Sequence, residues 1–270
     1  MNSRISLLKE LRDKSPLVHC ITNIVVANFQ ANGLLALGAS PIMAAAIEEA
    51  GEVSAISSST LLNIGTLDGV SIASMIAAGK MANEKGNPLV LDPVGAGATA
   101  FRKQTVSTLL AELDVSLIRG NAGEIAAIAN FPWDAKGVDA GDGTADIVEA
   151  AKGVAVRHKC LVAVTGKTDI VTDGAFVAQI TGGHPLMSQI TGMGCLLSAV
   201  CAAFLSVGKN HPLEAVAYSL AFYKQAGERA AELASGPGDF AVHFLNALHL
   251  LKDSDVNQAS IFIQKEAFQQ

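Results

Sequence analysis

Unbroken apolar runs recur along the chain at 17–22 (LVHCIT), 59–65 (STLLNIG), 88–95 (PLVLDPVG), 115–120 (VSLIRG) and 161–166 (LVAVTG), each closing on polar residues or glycine. Runs without polar alternation are what parallel strands buried on both faces require. The segments between them, 23–37, 69–86, 100–113 and 145–157, are long enough for crossover helices. The pattern predicts a doubly wound α/β fold, a mostly parallel central sheet flanked by helices on both faces. After 166 the order changes. TDIVTDGAFVAQITGG reads as a hairpin turning at Asp173-Gly174, and from 191 onward the pattern is nearly all helical, which predicts a helical C-terminal third. Near the start, Leu7, Leu8 and Leu11 suit an amphipathic helix. With no linker, low-complexity tract or repeat in 270 residues, one domain spanning 1–270 is expected.

Composition sharpens this picture in three ways. Hydrophobic residues make up 50% of the chain and charged residues only 16%, against the roughly 25% usual for soluble domains. Two causes fit equally: a large alanine-rich core, or a surface partly buried against copies of the same chain. The net charge of −6, without a Lys/Arg cluster, removes the basic footprint that nucleic-acid binding needs. The first sixteen residues, MNSRISLLKELRDKSP, carry charges throughout and lack the apolar region of a signal peptide, so a cytoplasmic location is expected. Cys20, Cys160, Cys195 and Cys201 show no C-x-x-C or zinc spacing and read as reduced thiols. The six histidines show no ligand spacing either.

In open parallel sheets ligands gather beyond the carboxyl ends of the strands. The residues closing the apolar runs are Thr22-Asn23, Asn63-Ile64-Gly65, Asp92 to Gly95, Arg119-Gly120-Asn121 and Thr165-Gly166. Taken singly, each could equally cap a helix or shape a turn. The most informative stretch is TGMGCLLSAVCAAFLSVG at 191–208, which contains no formal charge. A membrane span is disfavoured: eighteen helical residues reach only about 27 Å, and small residues stand where leucine and phenylalanine would be expected. Cys195 and Cys201, six apart, sit about 240° around a helix and cannot pair within it. What remains is a glycine-rich loop feeding a helix whose first-turn N–H groups and dipole suit a phosphate-sized anion. In that first turn the Cys195 thiol would be expected to ionise more easily than usual. The plain alternative is glycines that allow close packing, with Cys195 as a small core residue.

Two other glycine signals lead less far. GKT at 166–168 is not the end of a P-loop, since the motif's first glycine would fall at Leu161. GAGATA at 95–100 fits the loose dinucleotide pattern after a strand, but no acidic residue closes the next strand, which ends in Arg119. An NAD-dependent oxidoreductase is therefore the alternative from another functional class.

Taken together, ITNIVVANFQANGLLALGASPIM at 21–43, LLNIGTL at 61–67, LDPVGAGAT at 91–99, IRGNAGEI at 118–125, VTGKTD at 164–169, TGMGC at 191–195 and GPGDF at 236–240 resemble the hydroxyethylthiazole kinase family of the ribokinase-like superfamily, over nearly the whole chain. The resemblance implies a ribokinase-like fold. It also implies ATP-dependent phosphorylation of the hydroxyl of 4-methyl-5-(2-hydroxyethyl)thiazole, in thiamine biosynthesis or salvage. Ribokinase-like enzymes carry aspartate in a G-x-G-D start to this helix; the family has cysteine there, and here that residue is Cys195. By the same resemblance, Cys195 and Gly194 are the catalytic residues, with Gly192 and Gly194 supplying the anion hole. Cys195 acts as general base for the substrate hydroxyl or as a small residue preserving the pocket's shape; a covalent nucleophile ranks last, because direct transfer from ATP needs no covalent intermediate. Asp92 and Glu124 hold Mg²⁺, partly through water, and Arg119 and Thr165 contact ATP. Met43 and Gly192, joined by Asn23, contact the thiazole. For these residues the structural alternatives are helix caps for the two acids, an ion pair for Arg119 and core filling for Met43. The family's homotrimers, with sites near subunit boundaries, imply a homotrimer here.

Overall fold

The structure is a computed structural model and describes residues 6–131, 143–256 and 260–265. In chain order the elements are α1 (Leu7–Lys14), β1 (Leu17–Ile21), α2 (Ala27–Leu37), β2 (Ser40–Ile42), α3 (Ile47–Ile56), β3 (Ser59–Asn63), α4 (Gly69–Lys85), β4 (Leu89–Asp92), α5 (Ala100–Glu112), β5 (Leu117–Asn121) and α6 (Ala122–Ala129). They continue with α7 (Gly143–His158), β6 (Leu161–Thr165), β7 (Asp169–Thr172), β8 (Phe176–Ile180), α8 (Met193–Val207), α9 (Pro212–Ala231), α10 (Pro237–Leu250) and β9 (Ile261–Lys265).

The strands form one nine-stranded sheet in the order β2-β1-β3-β4-β5-β6-β7-β8-β9. The pairings from β2 through β6 are parallel, and those from β6 to β9 are antiparallel. Adjacent residues of the central strands point to opposite faces: Leu61, Val90, Leu117 and Ala163 face one core, while Leu62, Leu91, Ile118 and Val162 face the other. Helices α1, α2, α8, α9 and α10 cover the first face, and α3 to α7 cover the second. Both faces are dry, which is why these strands read as continuous apolar runs.

The five expected strands, the four crossover helices, the Asp173-Gly174 hairpin and the amphipathic N-terminal helix are all present within a few residues of the anticipated limits. One expectation is corrected: the C-terminal third is not wholly helical. Residues 261–265 form β9, an edge strand antiparallel to β8. Helix α8 lies between sheet and helices and is buried on nearly every side, which accounts for its uncharged sequence. Among the described residues no helix is long and apolar enough to cross a membrane.

The registers set up the site. Asn63 stands opposite Asp92 at the ends of β3 and β4, and Asn121 stands opposite Thr165 at the ends of β5 and β6. The carboxyl end of the sheet therefore presents a row of polar groups.

Candidate active site

Asp92 closes β4 and is 1% exposed. Its Oδ2 accepts hydrogen bonds from Asn63 Nδ2 at 2.8 Å and from Ser198 Oγ, on α8, at 2.9 Å. Burial pushes its carboxyl up to about 6; Arg119 and the two hydrogen bonds oppose the rise, and the neighbouring Glu124 adds to it. A buried carboxylate held this high is one that a cation would stabilise in its charged form.

Glu124 is in the first turn of α6 and completes a reciprocal cap: Asn121 Oδ1 accepts from the Glu124 N–H at 2.9 Å, and Glu124 Oε2 accepts from the Asn121 N–H at 2.8 Å. Its other oxygen accepts from the Gly95 N–H at 2.8 Å, pinning the loop after β4. The helix-cap alternative is therefore realised, with one further lone pair left on each oxygen. Asp92 and Glu124 offer the hard oxygen donors that Mg²⁺ takes. Among the described residues no group of three His, Cys, Asp or Glu converges, so an ion here would keep much of its water.

Arg119, on β5, is 8% exposed, and its Nη2 donates to Thr165 Oγ1. Its Nε is buried without a partner. The guanidinium lies against Gly194: a Cβ there would stand 2.8 Å from Nη1, so any larger residue would displace the Arg119 head group. Helix α8 begins at this point. Its N-cap Gly192 has φ +92°, in the left-handed region, and no side chain caps the helix. The N–H groups of the first turn are thus the donors an anion would find. Arg119, Thr165, Met193 and Gly194 form one end of a cleft of about 720 Å³. The rest is walled by apolar groups such as Pro185, Met187, Leu197 and Leu220 and floored by the turns at 166–168 and 181–183.

On the other side of the helix start lies Cys195, half-buried. Asn23, after β1, donates from Nδ2 to Asn63 Oδ1 at 2.9 Å and to Cys195 Sγ at 3.5 Å. Gly192 rests on the same loop, where a Cβ would stand 2.8 Å from Val26 Cγ1. Met43 is one strand further out, beyond β2, half-buried against the core on the α8 side; the next carbonyl, of Ala44, accepts from His19 Nε2 at 2.7 Å. The expectation of an easily ionised Cys195 is corrected. Burial first, and then the Asp92 carboxylate, push its thiol up to about 11, outweighing the hydrogen bonds from Asn63 and Asn23 and the Arg119 charge. At neutral pH it is a thiol.

The structure thus joins Asn23, Asp92, Cys195, Gly192 and Gly194 with Glu124, Arg119 and Thr165 around the start of α8, with Met43 at the adjoining edge. Sequence reasoning assigned no role to Asn63, which links Asp92, Asn23 and the Gly65 N–H. It also passed over Ser198 and Gln30, whose Nε2 donates to the Cys195 carbonyl at 2.6 Å. Ser198 left a signal, a hydroxyl in the middle of a mostly apolar helix; the Gln30 contact crosses 165 residues and left none. Arg102, just after the GAGATA loop, braces the strand ends beside it by donating to the carbonyls of Ile64, Val94 and Gly65 at 2.6–2.7 Å.

Three comparisons place this geometry among known proteins. A model of the hydroxyethylthiazole kinase family matches residues 8–254. A hydroxyethylthiazole kinase from Exiguobacterium sp. is 54% identical over 248 residues, covering 92% of this chain and 94% of that protein. The structure of the hydroxyethylthiazole kinase protein from Pyrococcus horikoshii OT3 superposes with a TM-score of 0.87 at 38% identity, covering 99% of this chain and 100% of the other. A ribokinase-like superfamily protein from Enterococcus faecalis, 13% identical, shares the fold with a TM-score of 0.63 over 92% of this chain and 90% of its own.

Proposed function

Because this chain belongs to the hydroxyethylthiazole kinase family, we propose that it performs the family's phosphoryl transfer at the carboxyl end of its sheet, around the first turn of α8. The activity is hydroxyethylthiazole kinase activity, in thiamine biosynthesis or salvage, and as a kinase it uses ATP. The observation that carries the location is the uncapped start of α8 opening into a cleft it shares with Arg119 and Thr165.

ATP occupies that cleft, with its phosphates against the first-turn N–H groups, Arg119 and Thr165. The thiazole alcohol sits on the Asn23 side, against Gly192 and Cys195, with Met43 at the outer edge. The hydroxyl oxygen attacks the γ-phosphorus, the bond to the β,γ-bridging oxygen breaks, and ADP leaves. The hydroxyl proton passes to water or a phosphate oxygen. Charge in the transition state lies on the phosphoryl oxygens, so positioned donors provide most of the catalysis. Asp92 and Glu124 would hold Mg²⁺, which supplies further neutralisation of phosphate charge. Cys195, a thiol at neutral pH, keeps the acceptor pocket its shape.

Exposed Ile24, Val25 and Leu35 lie on the loop and helix beside Asn23. Together with the charge-poor composition they support a homotrimer in which a neighbouring subunit covers this edge and completes the thiazole pocket.

The test is product mass from purified protein with ATP, Mg²⁺ and hydroxyethylthiazole. One added phosphoryl group is expected, lost when EDTA removes the metal. Asp92→Asn and Glu124→Gln should each need more Mg²⁺. Full turnover in EDTA would overturn the metal assignment, and NAD(H) turnover without phosphorylation would overturn the kinase reading.

A further inference from the structure

The floor of the nucleotide cleft contains a buried ion pair that the transfer itself does not use. Lys224 on α9 and Asp169 at the start of β7 meet at 3.2 Å, with side chains 9% and 5% exposed. Removing two charges from water at such a place costs several kcal/mol, so the pair is weak evidence of stabilisation and calls for another reason.

Its hydrogen bonds supply one. Lys224 Nζ donates to the carbonyls of Gly166 and Lys167 at 3.3 Å and to that of Gly182 at 3.2 Å. Asp169 Oδ1 accepts from the Gly166 N–H at 2.9 Å. One helical turn beyond Lys224, Glu228 Oε1 accepts from the Gly183 N–H at 2.9 Å. The segments held in this way, 166–168 and 182–183, are the two turns that line the cleft. Gly182 and Gly183 have φ of +110° and +88°, in the left-handed region that glycine adopts without strain, so that turn depends on its two glycines.

We propose that Lys224 and Glu228, with Asp169, are positioning residues for the nucleotide, a clamp that fixes the two glycine turns framing the ATP cleft. The inference rests on reading that cleft as the ATP site. All three groups spend their charge on backbone groups of the cleft wall. Their loss should therefore weaken nucleotide binding without touching the thiazole side, where Asn23 and Cys195 stand on other elements.

The experiment is equilibrium titration of the full-length protein with a non-hydrolysable ATP analogue and, separately, with hydroxyethylthiazole. Lys224→Met should weaken analogue binding at least tenfold, and Glu228→Ala, half-buried and expected to fold, about threefold; thiazole binding should stay within twofold in both. Lys224→Met combined with Asp169→Asn should be no worse than Lys224→Met alone, because the three groups act as one brace. Thr168→Trp, which fills the cleft, tests the underlying reading. If it binds the analogue like the parent, the cleft is not the ATP site. If it loses binding while Glu228→Ala and the folded Lys224 variants keep parental affinity, or lose affinity for both ligands alike, the clamp is refuted. Should Lys224→Met fail to fold, Glu228→Ala decides alone.

Discussion

At the scale of single residues, the site is built by burial working against charge. Asp92 is removed from water and its carboxyl raised to about 6, so the group is protonated below that pH and charged above it. If Mg²⁺ needs the carboxylate, kcat/KM should fall as pH drops through about 6, and added Mg²⁺ should move that limb to lower pH. A rate independent of pH between 5 and 7.5 would contradict this. The same shift has a stability consequence of opposite sense. A folded pKa above the unfolded value of 3.8 means that ionised Asp92 destabilises the metal-free fold, and the destabilisation disappears as pH falls below about 4. Asp92→Asn should therefore unfold later than the parent in denaturant at pH 7.5, by about 1–3 kcal/mol, with no gain at pH 4. Cys195 belongs to the same pocket. General-base catalysis contributes about 10²–10⁴-fold. A thiol pushed up to about 11 has little thiolate to offer at neutral pH, so Cys195→Ala should lose less than about 10² in kcat. Cys195→Asp, which restores the residue usual in ribokinase-like enzymes, should remain an active kinase. A folded alanine variant with no measurable turnover would return Cys195 to a chemical role.

At the scale of elements, the start of α8 is the feature on which the rest depends. Gly192 at φ +92° turns the chain into the helix and leaves its first N–H groups uncapped. In Gly192→Ala the left-handed backbone costs about 1–2 kcal/mol. The new methyl, 2.8 Å from Val26, adds an overpacking cost of about 1–3 kcal/mol. Unfolding should show that loss, and the KM for hydroxyethylthiazole should rise because Val26 follows Asn23; unchanged stability and KM would contradict the geometry. This element was legible in the sequence, since a helix without charge has to be buried and two glycines at its start leave its first N–H groups open to a ligand. So were the five parallel strands, because burial on both faces writes itself as unbroken apolar runs. Strand β9 was not: three of its residues, including Phe262 and Ile263, are exposed, and its partner β8 lies some 80 residues upstream. Three-residue β2, with Pro41 at its centre, gives no periodicity to detect. Nor could the Cys195 thiol be read correctly. The helix start is local and visible, whereas the burial and the Asp92 carboxylate that raise the thiol come from elsewhere in the chain.

At the scale of the whole molecule, the proposed reading places both substrates side by side on one sheet. Strands β1, β3 and β4 bring Asn23, Asn63 and Asp92 to the side proposed for the acceptor; β5, β6 and β7 bring Arg119, Thr165 and Asp169 to the side proposed for the nucleotide; α8 begins between them. The acceptor side borders the sheet edge with its exposed Ile24 and Val25. Light scattering should accordingly report a trimer, and charged substitutions at Ile24 or Val25 should dissociate it and raise the KM for the thiazole; a fully active monomer would contradict the shared pocket. In the proposed mechanism both substrates meet across the α8 terminus and the phosphoryl group passes between them in one in-line step, with no stop on Cys195. The most direct measurement is the stereochemical course with ATP made chiral at the γ-phosphorus. A single displacement inverts the configuration, and inversion is the result this account predicts. Retention would require two displacements through a phosphorylated enzyme, and would contradict it.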